Sequence, residues 1–172
     1  PALLYFGARL SAQTQGEMLA RLASRQEAKC SPVLEAPVSL SPLNAEGFTG
    51  APGLELSDQQ LAWSVGPQLT EVRRLSEHSV ELVSLDSLRG LELTHHLTLD
   101  PATDVLAAWT AVCNLSAQQV QVHWCAAPTL QLPDHLTRLT SFEGRWSNEF
   151  QRRDIDLFLG SFLRENRKGK TS

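Results

Sequence analysis

The most constraining feature of the sequence is a stretch in which apolar and polar residues alternate with a period of two. In the segment 91–99, four leucines share one phase with His95, and polar residues fill most of the other phase. A period of two is that of a β-strand, whose successive side chains point to opposite faces of a sheet. The segment therefore predicts a strand with one buried face and one face that meets solvent.

Other segments also have the pattern of strands. Apolar residues alternate with other residues over 61–65 and 120–124, and the run 155–163 is apolar enough to form a further strand. In 105–115 both phases are largely apolar, which favours a strand covered on both faces.

The breaks between these segments are short and contain turn-forming residues. Arg89-Gly90, the Asp-Pro turn at 100–104 and the polar stretch 114–118 leave no room for the crossover of about a dozen residues that parallel strands require. The strands are therefore expected to pair antiparallel, and each sheet must bury its apolar face against another layer. The sequence predicts an all-β fold, a large antiparallel two-sheet β-sandwich with one short helix.

That helix is predicted near the start of the chain. Thr14, followed three residues later by Glu17, matches a capping box, and apolar residues recur at helical spacing from Met18 to Ala23. The helix is expected to end near 25–28. The segment 30–56 is rich in Pro, Gly and Ser, and it predicts a long loop region with short extended pieces.

Composition argues against several classes of protein. The 172 residues carry 15 Lys and Arg against 19 Asp and Glu, and the net charge of −4 without a basic block argues against nucleic-acid binding. No apolar run approaches the roughly 18 residues of a membrane-spanning helix. Three cysteines form neither a disulfide framework nor a zinc-ligand spacing, and no signal-peptide pattern opens the chain. We therefore expect one domain over 1–172, idle thiols in a reducing compartment and a cytoplasmic location.

No constellation of catalytic residues stands out in the sequence. His95 and His96 are neighbours on a strand, so their rings point to opposite faces and cannot chelate one ion together. Asp154 and Asp156 share a strand face, but the nearby arginines favour solvated ion pairs. The sequence has no nucleophile elbow, phosphate-binding loop or dinucleotide fingerprint. We predict no catalytic residue, cofactor or metal site in this chain.

The four tryptophans divide into two groups. Trp63, Trp109 and Trp124 fall in the apolar phase of their strands and are predicted to lie in the core. Trp146 follows Gly144-Arg145 in a polar, turn-like segment, and it is predicted to be exposed or to lie at an interface.

Four segments, in the right order along the chain, together resemble one known family. They are Leu-Tyr-Phe-Gly-Ala-Arg-Leu at 4–10, Phe-Thr-Gly-Ala-Pro-Gly-Leu-Glu at 48–55, Phe-Glu-Gly-Arg-Trp-Ser-Asn-Glu-Phe at 142–150, and Gly160 with Glu-Asn-Arg-Lys-Gly-Lys-Thr-Ser at 165–172. This pattern resembles the α-galactosidases of glycoside hydrolase family 36.

The resemblance implies that the chemistry lies outside this chain. Members of the family begin with a β-sandwich and continue into a (β/α)₈ barrel that carries both catalytic aspartates. By this resemblance the chain is the N-terminal fragment of a longer enzyme, inactive alone, and 164–172 begins the connector to the barrel. The parent enzyme would hydrolyse terminal α-galactosides such as melibiose and raffinose-type oligosaccharides, with two carboxylates about 5 Å apart and retention of configuration.

The resemblance also implies which residues support the barrel. The sandwich would pack against its own barrel and take part in a homo-oligomer, and the galactoside would be bound only through the barrel. Gly47-Phe48-Thr49 replaces the Asp-Phe-Arg motif of one branch, so that branch's carboxylate and guanidinium are absent. An ion pair between Arg145 and Glu149 is expected to orient Trp146. Residues assigned to an interface or a substrate loop are Phe48, Gly50, Pro52, Gly53, Arg145, Trp146 and Glu149.

The sequence also fits one alternative function. An independent carbohydrate-binding β-sandwich would also use tryptophans, as flat platforms for sugar rings. Such a module should show exposed aromatic residues on one sheet face or in a loop cluster.

Overall fold

A computed structural model describes residues 1–5, 10–11, 13, 16–23, 38–48, 50–57, 64–133, 135–158 and 160–165. These residues form mostly strands, with one α-helix, α1 (Gly16–Ala23), and a 3₁₀ turn at Asn44–Glu46. In the part described, no helix has the length and apolar character that crossing a membrane requires. The strands are β1 (Leu54–Ser57), β2 (Gln68–Arg74), β3 (Ser79–Asp86), β4 (Leu91–Asp100), β5 (Val105–Asn114), β6 (Gln121–Cys125), β7 (Arg138–Arg145) and β8 (Asn148–Asp156).

The chain divides into two compact units, Pro1–Gln131 and Leu132–Ser172. The first contains a four-stranded antiparallel sheet in the order β2-β3-β4-β5 and a two-stranded sheet of β1 and β6. The second contains the antiparallel hairpin of β7 and β8. The single domain predicted over 1–172 stays a prediction.

The alternating pattern of 91–99 forms β4, at the middle of the larger sheet. Leu91 and Leu93 are buried on one face together with His95. β4 pairs with β5 through ten consecutive residue pairs without a register shift. The pairing of β2 with β3 instead shifts between Leu69 and Glu71.

The core of the first unit lies between its two sheets. Leu54 and Leu56 of β1 pack in one buried cluster with Leu91 and Leu93 of β4, and Leu43 and Val65 complete this cluster. Full burial of each such side chain contributes about 1.5–3 kcal/mol. The predicted all-β antiparallel sandwich with one short helix is therefore confirmed.

The turn between β3 and β4 is held by one buried carboxylate. Oδ1 of Asp86 accepts hydrogen bonds from the backbone N–H groups of Leu88 and Arg89 at 3.1 Å, and Oδ2 accepts one from Gly66 at 2.9 Å. Gly90 completes the turn with a φ of 63°, a backbone conformation that glycine adopts without strain. The break predicted at Arg89-Gly90 is confirmed.

The prediction that two of the tryptophans lie in the core is wrong. Trp109 is 49% exposed and Trp124 is 53% exposed, although both were expected in the core. Both phases of β5 are apolar, so the face of Trp109 is decided by its pairing with His96, on the side opposite the buried Leu93. The expectation that β5 is covered on both faces is also wrong, because the side chains on the Trp109 face are exposed. Trp63 lies outside the described residues.

Three other expectations have mixed outcomes. The helix predicted after Thr14 is confirmed by α1, whereas Thr14 itself and the predicted end at 25–28 lie outside the described residues. The strand predicted over 155–163 is confirmed only in part, because β8 ends at Asp156. The ion pairs predicted for the two aspartates are confirmed, since Asp154 bonds Arg152 at 3.0 Å and Asp156 lies 3.9 Å from Arg138.

Candidate functional site

The four residues predicted for an interface or a substrate loop, Phe48, Gly50, Pro52 and Gly53, lie in the loop that leads into β1, which has an exposed tip and a buried base. Its 3₁₀ turn, Asn44–Glu46, is followed by Gly47, whose N–H donates to the carbonyl oxygen of Asn44 and whose φ of 82° is a conformation that glycine adopts without strain. At the tip the Phe48 ring lies so close to Gly50 that a Cβ on Gly50 would come within 2.6 Å of the ring. Phe48 and Gly50, two of the four predicted loop residues, are therefore in contact.

Pro52 and Gly53 form the base of this loop. The N–H of Gly53 donates to the carbonyl of Pro42, and its own carbonyl accepts from the N–H of Ala126, both at 2.8 Å. A Cβ on Gly53 would meet the backbone of Ser41 at 3.0 Å, closer than side chains normally approach. Gly53 is thus needed for packing, whereas Phe48 is half-buried and Gly50 is exposed at the tip.

The second predicted group lies on the hairpin of the second unit. Trp146 occupies the turn between β7 and β8 and is 90% exposed. The expected pair of Glu149 with Arg145 is not formed in this described hairpin. The Glu149 carboxylate instead accepts the N–H of Ser147 at 3.1 Å, because Ser147 adopts a φ of 66° in the turn.

A row of four side chains crosses the face of the larger sheet opposite Leu93, and sequence reasoning missed it. Arg73, Glu81, His96 and Trp109 are paired in register across β2, β3, β4 and β5. Arg73 lies 3.7 Å from Glu81, Glu81 lies 3.1 Å from Nδ1 of His96, and His96 stacks on Trp109 with ring centroids 4.8 Å apart. The planes of the two rings differ by only 8°, so the row holds one face of the indole against the imidazole.

His95 lies under the opposite face of the sheet and has a different environment. It is 1% exposed, and its Nδ1 lies 3.2 Å from the hydroxyl of Thr110. Burial lowers the pKa of His95 to about 4, with smaller contributions from the positive charges of the amino terminus and His96. A neutral, buried imidazole of this kind is a packing group, in agreement with the position of His95 in the apolar phase of its strand.

Several carboxylates of the described residues have structural partners. Asp100 accepts the N–H of Ala102 and the hydroxyl of Thr103, and these hydrogen bonds lower its pKa. Hydrogen bonds from Arg152 and Thr140 likewise lower the pKa of Asp154. In the described part of the chain, no three acidic, histidine or cysteine residues converge in a way that could hold a metal ion.

Comparison with known proteins agrees with the segments quoted above. Residues 1–172 match the glycosyl hydrolase family 36 N-terminal domain. The chain is also 32% identical over 139 residues to a protein described as alpha-galactosidase from Escherichia coli. That alignment covers 81% of this chain but only 19% of the relative, and no solved structure matches. The chain belongs to glycosyl hydrolase family 36, as an N-terminal domain of that family.

Proposed function

We propose that this chain is a non-catalytic packing and assembly domain of an α-galactosidase. The observation that carries the proposal is the match to the family's N-terminal domain over the whole chain, together with the similarity to an alpha-galactosidase about five times as long as the aligned region. In the proposed parent, a (β/α)₈ barrel beyond this domain cleaves terminal α-galactosides with retention, through two carboxylates about 5 Å apart. The domain packs on that barrel and takes part in a homo-oligomer.

The carboxylates described above support a structural role. A retaining glycosidase needs one carboxylic acid that protonates the leaving group and one free carboxylate that attacks the sugar. Asp86 is saturated by three backbone N–H groups, and Asp154 is held by Arg152 and Thr140. These hydrogen bonds give both carboxylates a structural role.

The exposed aromatic residues of the hairpin support the packing role. Trp146 and Phe150 are among the most exposed large apolar side chains described, and Phe158 and Leu163 follow them in the same unit. Exposed apolar groups clustered along one segment are typical of a surface that a partner covers. We assign Trp146 to the contact with the barrel.

Hydroxyl-radical footprinting of the chain alone and of the longer protein tests this contact. Trp146 should be oxidised rapidly in the isolated chain and protected severalfold in the longer protein. Leu88, exposed at the turn between β3 and β4, is the control and should react equally in both. Equal oxidation of Trp146 in the two proteins would contradict the packing role.

The exposure of Trp109 favours one second candidate, an independent carbohydrate-binding module. An indole held flat by a stacked imidazole is a suitable platform for a sugar ring. Affinity electrophoresis of the chain in gels containing an α-galactoside polymer distinguishes the two functions. A binding module is retarded and loses the retardation in Trp109→Ala, whereas a packing domain migrates as it does without the polymer.

A further inference from the structure

The side chains of β1 alternate between the core and the outer face of the two-stranded sheet. Leu54 and Leu56 lie in the buried cluster, so Glu55 and Ser57 face away from it. Ser57 is half-buried, and Glu55 is exposed. The two leucines therefore anchor the strand, and the outer face carries the hydroxyl of Ser57.

A bulge in β6 brings a histidine to this hydroxyl. The register between β1 and β6 shifts after Glu55, which pairs with Trp124, and this shift leaves His123 as the extra residue of the bulged strand. A bulge redirects the side chain of its extra residue. Nε2 of His123 lies 2.7 Å from Oγ of Ser57, although the two residues are 66 positions apart in the sequence.

This distance is typical of a nucleophile and its base. In the imidazole tautomer that carries its proton on Nδ1, Nε2 of His123 accepts the hydroxyl proton of Ser57. A serine hydroxyl is a weak nucleophile until a base within about 2.6–3.2 Å takes its proton as the new bond forms. Ser79 shows the contrast, because its Oγ lies 2.8 Å from the hydroxyl of Thr98, which is too weak a base for this role.

The neighbours of the pair indicate which acyl donor it fits. Trp124 is exposed and, through its pairing with Glu55, lies on the same face as Ser57. Its indole offers an apolar surface for an aromatic leaving group. The exposed carboxylate of Glu55 repels anionic donors such as acyl phosphates. A small neutral aryl ester has the aromatic group and lacks the charge.

We propose that Ser57 is an acyl-acceptor site for small neutral aryl esters, with His123 as its base. Oγ of Ser57 forms a bond to the carbonyl carbon of the ester, and the bond from that carbon to the aryl oxygen breaks. The hydroxyl proton passes to Nε2 of His123 and then to the leaving aryl oxygen. The products are an acyl ester on Ser57 and a phenol.

This reactivity goes beyond the packing role proposed above. It involves neither a galactoside, nor the barrel, nor the hairpin that carries Trp146. Failure of the acylation would therefore leave the α-galactosidase proposal standing. A longer protein that did not hydrolyse galactosides would likewise leave the acylation of Ser57 standing.

Acetylation by p-nitrophenyl acetate, followed by mass spectrometry of the peptides, tests the site in the 172-residue chain. Ser57 should acquire an acetyl group at least about tenfold faster than Ser79. Ser79 is the internal control, because it too is half-buried in a strand and hydrogen-bonded to a side chain of another strand. Equal rates at the two serines overturn the proposal, and this comparison needs no substituted chain.

Substitutions test the role of each member of the pair. Ser57→Ala should abolish the initial burst of p-nitrophenol, and His123→Gln, which keeps a polar side chain but supplies no base, should slow the acetylation of Ser57 at least about tenfold. Thr98→Val removes the partner of Ser79 and is the matched control, which should leave the burst unchanged. A burst that persists in Ser57→Ala, or an undiminished rate in His123→Gln, shows that other groups react and overturns the proposal.

Discussion

At the scale of single residues, Asp86 is the side chain with the greatest expected effect on stability. It is buried and accepts hydrogen bonds from the N–H groups of Gly66, Leu88 and Arg89. Asp86→Ala leaves these donors without their acceptor, so the free energy of unfolding should fall by about 3 kcal/mol. Urea denaturation followed by circular dichroism measures this change.

Ser84 provides the control for that substitution. It lies two residues away in the same strand and is equally buried, but its hydroxyl has no hydrogen-bond partner among the described residues. Ser84→Ala removes an uncompensated polar group and should be neutral or slightly stabilising. Equal losses in Ser84→Ala and Asp86→Ala would show that the Asp86 hydrogen bonds do not account for the effect.

His95 predicts a specific dependence of stability on pH. Its pKa is about 4 in the folded chain against 6.5 for the ordinary imidazole, so between these values the unfolded state binds more protons. The contribution of neutral His95 to the free energy of unfolding is fully present above pH 6.5. It is lost as the pH falls towards 4, and the total loss is on the order of 3 kcal/mol. Denaturation at a series of pH values should show a smaller loss in His95→Gln, and an unchanged loss would contradict the assignment.

At the scale of elements, the hairpin of β7 and β8 depends on one glycine. A Cβ on Gly144 would lie 2.6 Å from the carbonyl oxygen of Asn148 and 2.7 Å from Cα of Glu149, both on the opposite strand. Gly144→Ala should therefore disrupt the pairing at the bulge and destabilise the hairpin by about 1–3 kcal/mol. Amide hydrogen exchange in β8 should accelerate, whereas Gly66→Ala, with open space around it, should leave exchange unchanged.

Elements differ in how far the sequence predicts them, and β4 and β5 show why. One phase of β4 is apolar and the other mostly polar, so the local pattern settles both the strand and its buried face. β5 is apolar in both phases, so its strand is predictable but its face is decided by pairing with β4. The row from Arg73 to Trp109 is harder still, because its four members come from four strands and meet only through register.

The candidate site was predicted unevenly for the same reason. The exposure of Trp146 follows from a local turn signal, which a sequence displays directly. The division of the loop into an exposed tip at Gly50 and a packed base at Gly53 depends on contacts with Ser41 and Ala126. No periodic pattern in the sequence of the loop indicates such contacts.

At the scale of the whole molecule, the proposed function gives this domain a structural role and assigns the chemistry to another part of a longer protein. This domain supplies a sandwich and an exposed hairpin, and we propose that the reacting carboxylates lie elsewhere in the longer protein. The most direct measurement is hydrolysis of p-nitrophenyl α-galactoside by the purified 172-residue chain and, in parallel, by the longer protein. We expect that only the longer protein releases nitrophenol and that the chain alone gives the same signal as buffer. Hydrolysis by the chain alone, at a rate that survives further purification, would contradict it.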